Sequence, residues 1–206
     1  MIMKFRIITA FIFSLLYIIF LAWYDGWGME PYTSEEIDNL AIRMEQAEGS
    51  TPEQLKNLIL LLKEDDGKEF FMLNLNRYEY AENEAKEGVP KAYQDYGLPV
   101  IWMILARAGH PIFSAEIPNY LLDGEVTNNR WDEVIIVRYR SRKDFFNMVT
   151  SDEYLKIFNN RIGGMDYAEV TATTSSINFT SPRLFVLLIF SSLTLLLNYL
   201  IRRVLK

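Results

Sequence analysis

Hydrophobic and polar positions follow three different rhythms along the 206 residues. From Phe5 to Tyr24 there is almost no alternation: the run is apolar and holds no charge after Arg6. Leu184 to Ile201 repeats the pattern. About 20 helical residues rising roughly 1.5 Å each span a hydrocarbon core of about 30 Å, so each run predicts a transmembrane helix. Trp23, Tyr24 and Trp27 stand where an interfacial aromatic belt belongs. A cleaved signal peptide is the rival for the first run, but "AWYDGWG" lacks the small-x-small pattern of a cleavage site. Segment 1–25 is therefore expected to persist as an anchor, and 181–206 to form a second anchor with a basic tail. Ser191, Ser192, Thr194 and Asn198 interrupt the second run. Lipid offers them no partner, so they must bond their own backbone carbonyls or a neighbouring helix, near Ser14.

Between the anchors the period shortens. Thr33 and Glu36 have capping-box spacing, and Ile37, Leu40, Ala41 and Met44 recur at helical intervals. Thr51, Pro52 and Gln54 repeat the device ahead of Leu55, Leu58, Ile59 and Leu62. These two helices define a collar over 26–68. "EFFMLNLNRY" then alternates with a period of two, with Phe71, Leu73 and Leu75 on one face and Phe70, Met72, Asn74 and Asn76 on the other. "YEYAENEAKEGVP" reads as a solvated loop or frayed helix. "KAYQDYGLPVIWMILARAGH" contains a helix expected to be broken or delayed by Gly97 and Pro99. "PIFSAEIPNYLLDGE" is extended, with Pro118 marking an edge or bulge. "WDEVIIVRYR" is a strand; Ser141 and Asp144 start a helix that restarts at Ser151 and ends at Gly163–Gly164; "YAEVTATTSSINF" is a last strand. The order is β-α-β-β-α-β, a ferredoxin-like pattern. The expected class is α+β, with this domain flanked by the two membrane helices.

Charge adds orientation. All 27 acidic residues lie from Asp25 to Pro182, whereas six of the 21 basic ones lie outside that span. The middle thus carries 15 positive against 27 negative side chains, a net of −12. That excludes nucleic acid as a partner, since phosphate contacts need clustered Lys and Arg. Lys4 and Arg6 flank one span, and Arg202, Arg203 and Lys206 the other; Arg183 alone dissents. The positive-inside rule then predicts a two-pass inner-membrane protein with both termini cytoplasmic and the domain facing the periplasm or cell exterior.

Candidate chemistry is sparse. There is no cysteine and a single histidine, His110, so a structural zinc site is not expected. His110 could act as a base or ligate haem iron, or be a turn residue between Gly109 and Pro111. No metal or cofactor is expected. Asn74, Asn76 and Arg77 cluster at the end of the first strand and Arg138 lies on an otherwise apolar face. They could hold a carboxylate or enolate oxygen, or simply cap strand ends. Trp102, Trp131, Tyr93 and Tyr154 could wall an apolar cavity or belong to the core.

"FMLNLNRY", "KAYQDYG" and "WDEVIIVRYRSRKDFFNMVTSDEYLKIFNNRIGGMDYAEVTATT" together resemble a domain of unknown function in the dimeric α+β barrel superfamily. The resemblance runs from Glu69 to Phe179 and is strongest in the strand, the "SR" turn and the "SDEY" continuation. Asn74 and Arg77 sit where that family's first-strand motif has them. "AGHPIF" departs from the Gly-Gly expected before the second strand. The resemblance implies that 69–180 forms a ferredoxin-like subunit pairing through its sheet into a homodimer. Its relatives include cofactor-free oxygenases, isomerases and haem proteins, among which fold alone cannot choose. Two functions therefore stand as expectations. One is an anchored binding or assembly module for a small apolar ligand or a membrane-protein partner, with Asn74, Arg77, Arg138, Trp131 and Tyr154 as ligand-binding residues. The other is a cofactor-independent oxygenase or isomerase acting on a hydrophobic substrate, with His110 as the catalytic candidate.

Overall fold

A computed structural model describes residues 2–46, 51–85, 87–118, 131–175, 178 and 180–204. The chain forms two compact units, Met1–Trp27 with Ser176–Lys206, and Gly28–Ser175. In the first, α1 (Ile2–Asp25) packs against the last helix (Pro182–Val204). Both are long and apolar enough to cross a membrane. They run antiparallel: Thr9 lies beside Asn198, Phe13 beside Phe190 with ring centroids 5.7 Å apart, and Tyr17 beside Arg183. Both bonding routes open to the polar residues are used. Thr194 Oγ1 donates to its own helix at Phe190 O (2.8 Å), while Thr9 Oγ1 donates across the pair to Asn198 Oδ1 (3.0 Å). Arg183, the dissenting charge, donates to Asp25 Oδ1 at 2.6 and 2.9 Å and lies over the Tyr24 ring. That end of the helix pair thus holds an ion pair instead of a bare cation.

The second unit follows the order α2 (Ser34–Gln46), α3 (Pro52–Lys63), β1 (Phe70–Tyr78), α4 (Lys91–Ala106), β2 (His110–Glu116), β3 (Glu133–Tyr139), α5 (Arg142–Val149), α6 (Asp152–Gly163) and β4 (Met165–Thr173); the C-terminal helix is α7. The sheet is antiparallel with strand order β2-β3-β1-β4. The caps form as their spacing predicts. Thr51 and Gln54 close a reciprocal box at α3, and the Ser141 and Ser151 hydroxyls accept from Asp144 N and Tyr154 N at the starts of α5 and α6. The collar helices are part of this unit, because Leu40, Leu62 and Phe146 form one buried cluster joining α2 and α3 to α5.

One expectation fails. α4 is continuous from Lys91 to Ala106, with Pro99 inside it and Gly97 two residues earlier. An interior proline costs about 3 kcal/mol. Tyr96, Val100 and Ile104 lie on one face of α4 and are all buried in the main core. At roughly 1.5–3 kcal/mol for each fully buried apolar side chain, their packing outweighs the proline. Pro118 also lies beyond the end of β2 rather than in it; the irregularity in that edge strand falls between Pro111 and Phe113.

The pleat of β1 and β3 separates two faces. Phe70 pairs with Tyr139 and Met72 with Val137, and these four meet α4, α5 and α6 in the main core. Phe71 pairs with Arg138, Leu73 with Ile136 and Leu75 with Val134 on the opposite face. There Leu73, Leu75, Val134 and Ile136 are half-buried, and Phe113 of β2 is half exposed. The turn before β2 explains the departure from Gly-Gly. Ala108 takes the left-handed φ of 57° that a glycine would adopt freely, while a Cβ on Gly109 would lie 2.8 Å from Arg138 O.

Candidate functional site

A cavity of ≈ 500 Å³ lies between α4 and the β2–β3 side of the sheet. Its position follows from local sequence. Alternation sends Asn74, Glu133, Ile135, Val137 and Tyr139 to the helix-facing side, and Tyr93, Tyr96, Val100, Ile101 and Ile104 line it from α4. Arg161 of α6 and Ser114 of β2 complete the wall.

One end is polar. Glu133 is 8% exposed. Its Oε2 accepts from the Tyr78 hydroxyl and from Asn76 Nδ2, the latter at 3.2 Å; its Oε1 accepts from Ser114 Oγ at 3.1 Å. Asn76 Nδ2 also donates to the Tyr93 hydroxyl at 3.1 Å. Its Oδ1 is buried without a hydrogen-bond partner among the described residues. Burial, then the hydrogen bond to Glu133, raises the Tyr78 pKa far above a free phenol's. Burial followed by the nearby Glu133 charge raises that of Tyr93. Burial likewise raises Tyr139 and Tyr154. These phenols are neutral donors at any physiological pH.

The residues singled out from sequence are dispersed. Asn74 lines the cavity, with Nδ2 donating to Met72 O at 3.1 Å. Arg77, three residues on, has the opposite parity and pairs with Asp166 at 2.5 Å while stacking over Tyr167. Arg138 is 1% exposed and donates to Glu69 Oε2 at 2.7 Å and Ala108 O at 2.6 Å. Trp131 stacks on Tyr167, 5.5 Å between centroids. Tyr154 belongs to the main core, its hydroxyl 3.3 Å from that of Tyr96. His110 opens β2 with Nδ1 3.1 Å from Pro111 O. Of the six, Asn74 alone is in the cavity wall; of the other aromatic wall candidates, Tyr93 lines it and Trp102 does not. Glu133 and Ser114, in the same wall, stand out only once the strands are paired. Parity does place Glu133 on the face of Ile135, Val137 and Tyr139.

Comparison with solved structures recovers this architecture elsewhere. A protein of unknown function from Rhodopseudomonas palustris (RPA0582) matches with a TM-score of 0.52 at 19% identity, covering 63% of this chain and 97% of that one. Its methylated form gives 0.51, also at 19%, over 64% and 96%. The shared property is a compact α+β fold. The hydroxynitrile lyase of Passiflora edulis gives only 0.38 at 10% identity, over 54% and 98%, and carries no argument. No family model and no curated protein matches the chain.

The polar network predicts a ranking of variants. Asn76→Leu removes a donor from a buried carboxylate and should destabilise by about 1–3 kcal/mol. Asn76→Asp should cost more, because it adds a like charge beside Glu133. Thermal unfolding of the detergent-solubilised chain at neutral pH checks this; an Asp variant as stable as the Leu variant would contradict it.

Proposed function

We propose that the protein is a membrane-anchored binding module whose α4–sheet cavity holds a small, largely apolar ligand. The observation that carries this reading is the cavity itself: apolar and tyrosine-lined walls with one buried carboxylate at a polar end, the usual composition of a small-molecule site. A catalytic reading has less support, because His110 and Arg138 are absent from that wall. The outer face of α4 adds an approach. Leu98 and Trp102 are 67% and 71% exposed, and Ile101 and Leu105 37% and 38%, so the stripe 98, 101, 102, 105 is apolar and open. Leu98 and Ile101 also line the cavity, so the stripe leads an apolar molecule to its mouth. Native mass spectrometry of the full chain in mild detergent should reveal a co-eluting small molecule, and Ile135→Trp, which fills the cavity, should lose it. A wild-type protein with nothing bound, or equal occupancy in the variant, would overturn the reading.

We further propose a ferredoxin-like subunit of the dimeric α+β barrel type that pairs through the sheet face bearing Leu73, Leu75, Val134, Ile136 and Phe113. The element order, the strand order β2-β3-β1-β4 and the helices gathered on one face support it. Covering the other face removes apolar area worth about 25 cal/mol per Å² before association costs, and two-fold pairing is the commonest closed arrangement. Sedimentation of the solubilised full chain at micromolar concentration should show a dimer, and Ile136→Glu should weaken it by about tenfold or more. A monomeric wild-type chain would make a different membrane protein the cover.

Both helices of the first unit are proposed to span the inner membrane, with the termini in the cytoplasm and the domain outside. Lys4, Arg6, Arg202, Arg203 and Lys206 flank the two terminal ends, against Arg183 at the other end. The chain has no cysteine, so single-cysteine probes are clean. An impermeant maleimide should label Glu82→Cys in intact spheroplasts and Lys4→Cys only after permeabilisation. The reverse pattern would invert the topology.

A further inference from the structure

We infer that the molecule held in the α4–sheet cavity is an amine, bound as its ammonium at Glu133 with its apolar body along α4. This rests on the cavity being a ligand site and adds the chemical class of the ligand.

The second unit pairs its other buried charges. Asp144 takes two bonds from Arg140, at 2.6 and 2.9 Å. Arg138 takes Glu69 at 2.7 Å. Glu133 is the exception: among the described residues it forms no ion pair with a lysine or arginine, although it is 8% exposed. Its donors, Tyr78, Asn76 and Ser114, are all neutral. They satisfy about three of the roughly four acceptor positions of a carboxylate. They do not cancel its charge, and a buried charge without a counter-ion is strongly unfavourable.

The missing partner has a place to stand. Glu133 and Ser114 both line the cavity, so a group there reaches the carboxylate directly. Tyr93, Tyr96 and Tyr139 present neutral rings along the same wall, and tyrosine faces attract cations. A carboxylic acid would face like-charge repulsion at Glu133, and an alcohol would fill a hydrogen-bond position while leaving the charge uncompensated. Arg161, which lines the wall and lies over the Tyr96 ring at 5.9 Å, disfavours a cation on its own side. The two charges therefore give the cavity a polarity, and the ammonium belongs at Glu133.

Three water-soluble probes of similar size test this by calorimetry on the full chain in mild detergent: 2-phenylethylamine, 2-phenylethanol and 3-phenylpropanoate. The amine should bind about tenfold or more tighter than the alcohol, with the acid weakest. Glu133→Gln, nearly isosteric, should remove that preference, bringing the amine to within about threefold of the alcohol. Should that variant fail to fold, Ser114→Lys supplies an internal cation beside Glu133 and should exclude the amine by about tenfold or more. An alcohol or acid that binds as well as the amine, or amine binding unchanged in both variants, would overturn the inference. Ile135→Trp separates this from failure of the cavity reading. If filling the cavity abolishes binding of all three probes but the amine has no advantage, only the ligand class is wrong. If filling it changes nothing, the cavity is not the site and the inference falls with it.

Discussion

A carboxylate can be buried only where donors are brought to it, and at Glu133 they come from two neighbouring strands. Tyr78 and Asn76 arrive from β1, Ser114 from β2, and the glutamate itself opens β3. None of these strands could shift register by one residue without turning its polar group to the other face and leaving the carboxylate short of a donor. The network therefore locks the relative register of the sheet at the end where the cavity lies. Arg138 does the same at the opposite end of β3. It ties Glu69, just before β1, to the carbonyl of Ala108 in the turn after α4. That turn has no slack, since a side chain on Gly109 would strike Arg138 O. The two buried charges at the ends of one seven-residue strand thus fix where α4 sits over the sheet, and the space beneath α4 is a consequence.

The helix pair of the first unit obeys the same economy: Thr9 and Asn198 answer each other, and Asp25 answers Arg183. In the bilayer proposed for this pair, lipid would offer such groups no other partner. These pairs have matching spacing along the two helices and hold α1 and α7 in one register. Arg183 dissents from the charge asymmetry of the sequence, and its pairing with Asp25 and its place over the Tyr24 ring give it a part in the packing of the pair.

Local signals were legible to the extent that they acted locally. Thr51 with Gln54, Ser141 with Asp144, and Ser151 all cap helices where their spacing indicated. The alternation in β1 and β3 separated two faces, because period two is fixed by the backbone, but did not say which of them the helices cover; Phe70 and Met72 lie on the covered one. Pro99 misled because a local rule met a stronger tertiary term: the helix it should have broken is held by Tyr96, Val100 and Ile104. The site residues were harder. Arg77 and Arg138 looked functional because charges stood out on apolar strands, yet each is spent on a carboxylate nearby, Asp166 and Glu69. Glu133 looked like an ordinary charge at a strand entrance. Its significance depends on Ser114, Asn76 and Tyr78 converging from positions 19 to 57 residues away, and such convergence has no signature in any one segment.

The pleat also places the two proposed roles on adjacent residues. Ile135 faces the cavity and Ile136 faces the open side of the sheet, and the same holds for Asn74 and Leu73. A ligand beneath α4 and a second subunit across the sheet would therefore touch opposite sides of one backbone layer. The layer is stiff, being hydrogen-bonded through β3 and β1 and pinned at both ends by Glu133 and Arg138. A ligand that completed the charge at Glu133 would tighten the strand end from which Val134 and Ile136 project. Self-association and ligand binding are then expected to reinforce each other through β3. No contact between ligand and partner subunit is required for this, because both draw on the same strand being held in one position.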